Sequence, residues 1–96
     1  MKILGLRNNK TGEVIYSRAK HDFHSDAKNE IFVDGGFEYF RCLYNETANF
    51  SKVEFDLNVT KQELYEDWNS MKDKYGRLSK DQIEKQKISI HTLDKN

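Results

Sequence analysis

"IFVDGGFEYFR", residues 31–41, runs an apolar segment into a carboxylate, two glycines and three aromatics within four positions, and closes on an arginine. Glycine reaches positive φ without a Cβ penalty, so Asp34, Gly35 and Gly36 predict a tight reversal between two strands. Asp34 is expected to accept from a turn N–H. "EIFVD" leads in and "FEYFRCLY" leads out. On the outgoing strand, Phe37, Tyr39, Arg41 and Leu43 are expected on one face, and Phe40, Cys42 and Tyr44 on the other. Rings on both faces mean that neither reads as simply solvated. The face with Tyr39 and Arg41 is where a ligand or a neighbouring subunit is expected.

Upstream, "NNKTG" supplies turn residues between "KILGLR" and "EVIYSR", which predicts a hairpin of residues 2–7 with 13–18. "AKHDFHSDAKN" is polar and without period, a loop with Phe23 tucked inward as its anchor. Downstream, "NETANFS" reads as a loop. "KVEFDL" alternates, with Val53, Phe55 and Leu57 inward and Glu54 and Asp56 outward. "TKQELYEDWNSMKDKYGR" predicts the main helix over residues 60–76. Thr60 and Glu63 have the capping-box spacing. Leu64, Trp68, Met71 and Tyr75 form one apolar stripe, and Gly76 is the stop signal. Ser79 repeats the capping signature, so residues 79–93 predict a short helix or, through "KISIHTL", a closing strand. The final "DKN" is expected to fray. The order implies a single α+β domain over residues 1–96. An antiparallel sheet of about five strands occupies 1–58, followed by one or two C-terminal helices packed on one face.

Composition narrows the function. The chain has 96 residues, 36 % of them hydrophobic and 33 % charged, so its core is small for its surface. Aromatics at 12 % offset this in part, because rings bury the most area per residue. Lysine plus arginine equals aspartate plus glutamate, at 16 each. That balance argues against a nucleic-acid coat or an anionic-membrane binder. The single Cys42 excludes an intrachain disulfide and a cysteine-rich zinc site. The opening "MKILGLRNNK" is too polar for a signal peptide, and no stretch is long and apolar enough to span a bilayer. The expected location is the cytoplasm.

Arg18, His21, Asp22, His24 and Asp26 crowd into nine residues. Histidines and carboxylates bind metals, but one loop rarely supplies a complete site, so a polar surface loop is the expectation and no metal or cofactor is assigned. No strained nucleophile turn accompanies His21 and Asp22, and no carboxylate pair suggests acid–base work. The chain reads as a non-enzyme. "DGG" lacks the helix and lysine of a phosphate loop. The informative set is aromatic and cationic: Phe37, Tyr39 and Phe50 with Arg18, Arg41 and Arg77. Rings stack on bases, and guanidinium forks grip phosphates. The same residues also make an ordinary core with solvated edges. Tyr75 on the helix stripe is core first and ligand wall second. Lys74 and Arg77 near the helix end complement its dipole.

The succession "TGEVIYSR", "HDF", "IFVDGGFEYFR" resembles a family of small phage and Gram-positive bacterial proteins with the pattern I-x-S, H-D-F/Y and V-D-G-G-x-x-Y-x-R. The match spans residues 12–41. Some relatives carry cysteine pairs between the last two motifs; this chain has "HSDAKNE" there, so a zinc reading does not transfer. With "ELYEDWNSMKDKYGR" after the sheet, the layout looks like the phage anti-Thoeris sponges. That resemblance implies a homo-oligomer in the host cytoplasm. It would sequester a cyclic ADP-ribose-type immune signal without cleaving it. It implies Arg18, Arg41 and Arg77 for phosphates, Phe50 or Tyr39 for the base, and Asn58 for a ribose or base edge. A competing expectation is a small interaction module that inhibits a host defence protein directly, through an exposed aromatic strand face. Neutral charge argues against a third, a nucleic-acid binder.

Overall fold

The hairpin around "NNKTG" forms. β1 (Lys2–Asn8) and β2 (Val14–Ile15) pair antiparallel, Leu6 opposite Ile15 and Arg7 opposite Val14. Gly12 sits in the turn at φ 81°, where its N–H reaches the Asn8 carbonyl at 2.7 Å. The computed structural model describes residues 1–93; the polar end expected to fray, 94–96, lies outside them. After β2 come β3 (His24–Ser25), β4 (Ile31–Asp34), β5 (Arg41–Tyr44) and β6 (Phe50–Asp56). Then follow α1 (Lys61–Asn69), β7 (Arg77–Leu78), α2 (Lys80–Gln86) and β8 (His91–Thr92).

The class is α+β with antiparallel pairing, as expected, but the strands form two sheets rather than one. A five-stranded sheet has the order β7-β2-β1-β6-β8, and a three-stranded sheet the order β3-β4-β5. β1 is central, paired along its whole length with β6. Alternation then divides the apolar residues. Ile3 and its partner Phe55 enter one cluster with Val14, Tyr16, Val53 and Leu57, which Leu64 of α1 joins and Ile83 of α2 packs against. Leu6 and its partner Ile15 enter a second cluster with Ile31 and Val33 of β4. The small sheet thus covers apolar residues of the large one.

Several sequence expectations are corrected. The strand expected over 37–44 is confined to Arg41–Tyr44. Residues 37–40 bend instead, so Phe37 and Tyr39 do not share a face: Phe37 is buried in the first cluster, while Tyr39 is 89 % exposed. The Leu4 N–H takes the Phe37 carbonyl at 2.9 Å, fastening the bend to β1. Phe23 is not tucked inward; it is half exposed and lies parallel on Phe32, ring centroids 5.9 Å apart. Residues 24–25 of the expected loop form β3.

The main helix stops at Asn69, seven residues before Gly76. Its start is as read, with Thr60 and Glu63 in a reciprocal capping box. Its end is set by Asp67, whose carboxylate accepts the Lys74 and Tyr75 amides at 2.9 Å each and folds the chain back on itself. Met71 and Asp73 take left-handed φ of 58° and 55° in that turn. The apolar stripe is therefore cut: Leu64 is buried, Met71 is exposed, and the buried polar residue Asp67 lies between them in sequence. Residues 79–93 hold both alternatives, with α2 capped by Ser79 and Gln82, then β8 closing on β6.

Candidate functional site

The turn from Asp73 to Arg77 is the centre of the polar architecture. Behind it, Arg18 is buried and bonded to three carboxylates. Its Nε and one Nη take both oxygens of Asp22 at 2.8 and 3.0 Å. The other Nη takes Asp67 at 2.9 Å and Asp73 at 3.1 Å. The Arg18 amide adds a further bond to Asp22 at 2.7 Å. Burial pushes the Asp22 carboxyl up. The hydrogen bonds from His24 and Arg18 more than reverse this and hold it well below the usual carboxylate range. Asp67 is also held below its ordinary value, by the Tyr75 amide, Arg18 and the Lys74 amide acting against burial. Both nitrogens of His24 face oxygen acceptors, Asp22 at 3.2 Å and the Gly76 carbonyl at 3.0 Å. That carbonyl also accepts the Tyr16 amide at 2.9 Å.

Two clefts flank this turn and share Tyr75 and Arg77 as lining. The first, about 310 Å³, is lined by Arg18, Asp22, His24 and Asp73 with the rings of Phe23, Trp68 and Tyr75. Arg18, Asp22, His24 and Asp73 are bonded to one another there. The second, about 390 Å³, brings together Lys74, Tyr75 and Arg77 of the turn, Asn58 beyond β6, and Gln82 and Gln86 of α2. Tyr16, Leu57, Val59 and Leu78 complete it. Among the described residues, no carboxylate lines this cleft. Lys74 lies over the Tyr75 ring, its Nζ 5.5 Å from the centroid. The Arg77 Nε donates to the Ser25 carbonyl at 2.8 Å, and no ion pair holds Arg77 among the described residues.

Of the residues singled out in the sequence, Asn58, Tyr75 and Arg77 meet in the second cleft. Arg18 lies behind the turn, its guanidinium held by Asp22, Asp67 and Asp73. Arg41 is exposed and bonds Asp34 at 2.8 Å across β4 and β5. Tyr39 is exposed on the bend before β5 and lines neither cleft. Phe50 packs in the second apolar cluster against Tyr44, centroids 4.5 Å apart. The sequence reading missed Lys74 as a ligand candidate, together with Gln82, Gln86 and Tyr16. The run "KYGR" was the available signal, because a ring and two cations within four residues at a turn present themselves together.

Ser17 and Asp34 of the quoted motif, and Asp26 between its segments, make folding contacts. Ser17 Oγ accepts the Gly36 amide at 2.9 Å and donates toward the Ala19 and Asp22 carbonyls. Asp34 accepts the Gly35 amide at 2.9 Å, the turn bond expected of it. Asp26 takes the Glu30 and Ile31 amides and the Asn8 side chain. These acids are turned to amides and to Arg18, and among the described residues no cluster of three His, Cys, Asp or Glu is arranged to hold a metal. No helix among them is long and apolar enough to cross a membrane. Comparison with family models, curated proteins and solved structures returns no match.

Proposed function

We propose that this chain is a non-catalytic binding protein for a nucleotide-like anion, held in the second cleft. The observation that carries the reading is the convergence of Asn58, Lys74, Tyr75 and Arg77 in a cleft that no carboxylate among the described residues lines. Lys74 and Arg77 supply charge for a diphosphate, the Tyr75 ring a stacking surface, and Asn58, Gln82 and Gln86 the amides that read polar edges. The volume is in the range of small-molecule sites. With the sequence resemblance, the ligand class is a cyclic ADP-ribose-type signal, and the biological role is phage anti-defence by sequestration in the host cytoplasm. Such a protein acts by stoichiometry, as a homo-oligomer that releases its ligand slowly. Arg18 and Arg41, both held in ion pairs, have no part in this version of the site.

Calorimetry with cyclic ADP-ribose and with ADP-ribose tests the reading. Stoichiometric binding that is lost in Arg77→Ala supports it. Absence of heat at high concentration of folded protein removes it. Native mass spectrometry of the same sample reports subunit number.

A second reading has its own observation. Around the small sheet, Phe23, Tyr39, Leu43 and Tyr44 are each more than half exposed. Exposed rings and a leucine on and beside one sheet support direct docking on a host defence protein. Under that reading Leu43→Asp abolishes a stoichiometric protein complex and leaves nucleotide heats at zero.

A further inference from the structure

Among the described residues, three of the four outer strands of the two sheets, β3, β7 and β8, are only two residues long. Edges that short give another chain little to pair with. β5 is the exception. It has four residues, Arg41–Tyr44, and carries neither lysine nor proline to block pairing. Leu43 and Tyr44 on it are both more than half exposed. The hydrogen bonds fix which way its backbone points. The Asn45 N–H donates to the Glu30 carbonyl at 2.9 Å, one rung beyond the β4–β5 ladder. Bonded and non-bonded pairs alternate in an antiparallel ladder, so the backbone-bonded pairs are Leu43 with Phe32 and Arg41 with Asp34. Cys42 and Tyr44 therefore turn their N–H and C=O groups away from β4. Among the described residues, no backbone bond from another segment reaches those groups. On β3, by contrast, the Arg77 side chain donates to the Ser25 carbonyl.

We propose that β5 is the seam between two copies of this chain, paired antiparallel about a two-fold axis at Leu43. The strand is complementary to itself there. Its outward groups lie one residue to either side of Leu43. Cys42 of each copy thus bonds Tyr44 of the other, and every outward group of β5 is satisfied. An axis at Cys42 or at Tyr44 would leave some of them facing residues beyond the strand. The two three-stranded sheets join into one of six strands. Leu43 stands opposite Leu43 of the second copy as a non-bonded pair, with Cα atoms about 4.5 Å apart. It already lines an apolar groove with Phe23, Phe32 and Val33, so the pair continues an apolar face. Arg41 falls opposite Asn45 of the second copy and not another arginine, so like charges stay apart. The seam gives the proposed homo-oligomer its interface, and it does not depend on what the second cleft binds. It also occupies part of the surface that the second reading leaves to a host protein.

Only this register brings position 43 of one copy against position 43 of the other, and charge and cysteine variants test it. Native mass spectrometry of the wild type at high concentration should give a dimer. Leu43→Asp and Leu43→Lys should each be monomeric, because like charges then face one another, and an equal mixture of the two should dimerise again. In a Cys42→Ala background, Leu43→Cys should link to itself under mild oxidation, since a non-bonded pair lies within disulfide reach. Arg41→Cys should not, because its two copies stand about 14 Å apart along the strands. Leu43 and Arg41 are both exposed, and circular dichroism checks that each variant is folded. Should a charge variant unfold, the cysteine pair decides alone. A monomeric wild type overturns the proposal. A dimer that Leu43→Asp leaves intact overturns it too, because another surface then holds the copies. Equal linking at positions 41 and 43 is random collision and has the same consequence. A monomer that gives heat with cyclic ADP-ribose keeps the cleft reading and loses the seam; a dimer without heat does the reverse.

Discussion

Arg18 and Asp67 lie 49 residues apart in the chain, and their side chains meet at 2.9 Å with each less than a tenth exposed. This contact ties the loop after β2 to the end of α1. Through the same carboxylate, the Lys74 and Tyr75 amides are fixed, and with them the turn that lines both clefts. A buried ion pair is not a strong source of stability, but removing one partner leaves the other charged and poorly solvated.

Asp67→Ala is therefore expected to lower stability by about 3–5 kcal/mol, the effect of breaking a buried pair, and to loosen residues 73–77. Urea unfolding measures the first part and amide exchange at Lys74 and Tyr75 the second. A loss under about 1 kcal/mol means that Asp22 and Asp73 alone suffice for Arg18.

Acid is expected to unfold the protein through the same group of carboxylates. Asp22, Asp26 and Asp67 are all held below their ordinary values in the fold. A depressed carboxylate contributes stability that is fully present above its unfolded value, about 3.9, and is lost as pH falls through the folded one. Melting temperatures should be steady from about pH 7 to 5 and fall steeply below about pH 4. An unchanged melting temperature at about pH 2.5 contradicts the account.

Two glycines are expected to fail for different reasons. At Gly5 in β1, an added Cβ comes within 2.4 Å of the Ile15 carbonyl oxygen, a backbone atom that cannot swing aside. Gly5→Ala should destabilise by about 1–3 kcal/mol through overpacking and strain the β1–β2 pairing. At Gly36 the nearest atom is 3.9 Å away, so there is room, but φ is +100°. Gly36→Ala loses stability through its backbone, by about 1–3 kcal/mol, and thermal unfolding of the pair measures both. A neutral Gly5→Ala would mean that the strands separate more freely than their register implies.

Among the arginines and rings, the clefts sort the effects on ligand affinity. Arg77→Ala and Lys74→Ala should each weaken cyclic ADP-ribose binding by about tenfold or more, the loss of a charge-assisted bond. Arg41→Ala and Tyr39→Ala should leave it unchanged, because neither residue lines the second cleft. Titration calorimetry of the four variants decides it; a larger effect at Arg41 than at Arg77 moves the site to the small sheet.

The sequence was most readable where one local rule decides the outcome. Thr60 with Glu63 and Ser79 with Gln82 cap their helices as their spacing requires. Val53 and Phe55 alternate inward as a half-buried strand does. It was least readable where a polar side chain acts over distance. The apolar stripe of Leu64, Trp68, Met71 and Tyr75 predicts a helix unbroken as far as Tyr75, and nothing in that spacing reveals that Asp67 draws the following amides back onto itself. Arg18 has the chemistry of a phosphate ligand when read alone; two of its three carboxylates come from residues 67 and 73, contacts that only the folded chain creates. The second sheet was hidden for a related reason, since two-residue strands such as His24–Ser25 carry no period to detect.

β1 stands in the middle of the five-stranded sheet, and all seven of its residues pair with β6, between Phe50 and Asp56. A chain synthesised from its amino end therefore holds Ile3 and Leu6 without their central partner until more than half of it has been made. Hairpin contacts with β2 form early, but the ladder that closes both apolar clusters must wait, and long-range pairing of this kind folds slowly. The interval on the ribosome between β1 and β6 is the period in which this protein is most open to aggregation and to chaperone capture.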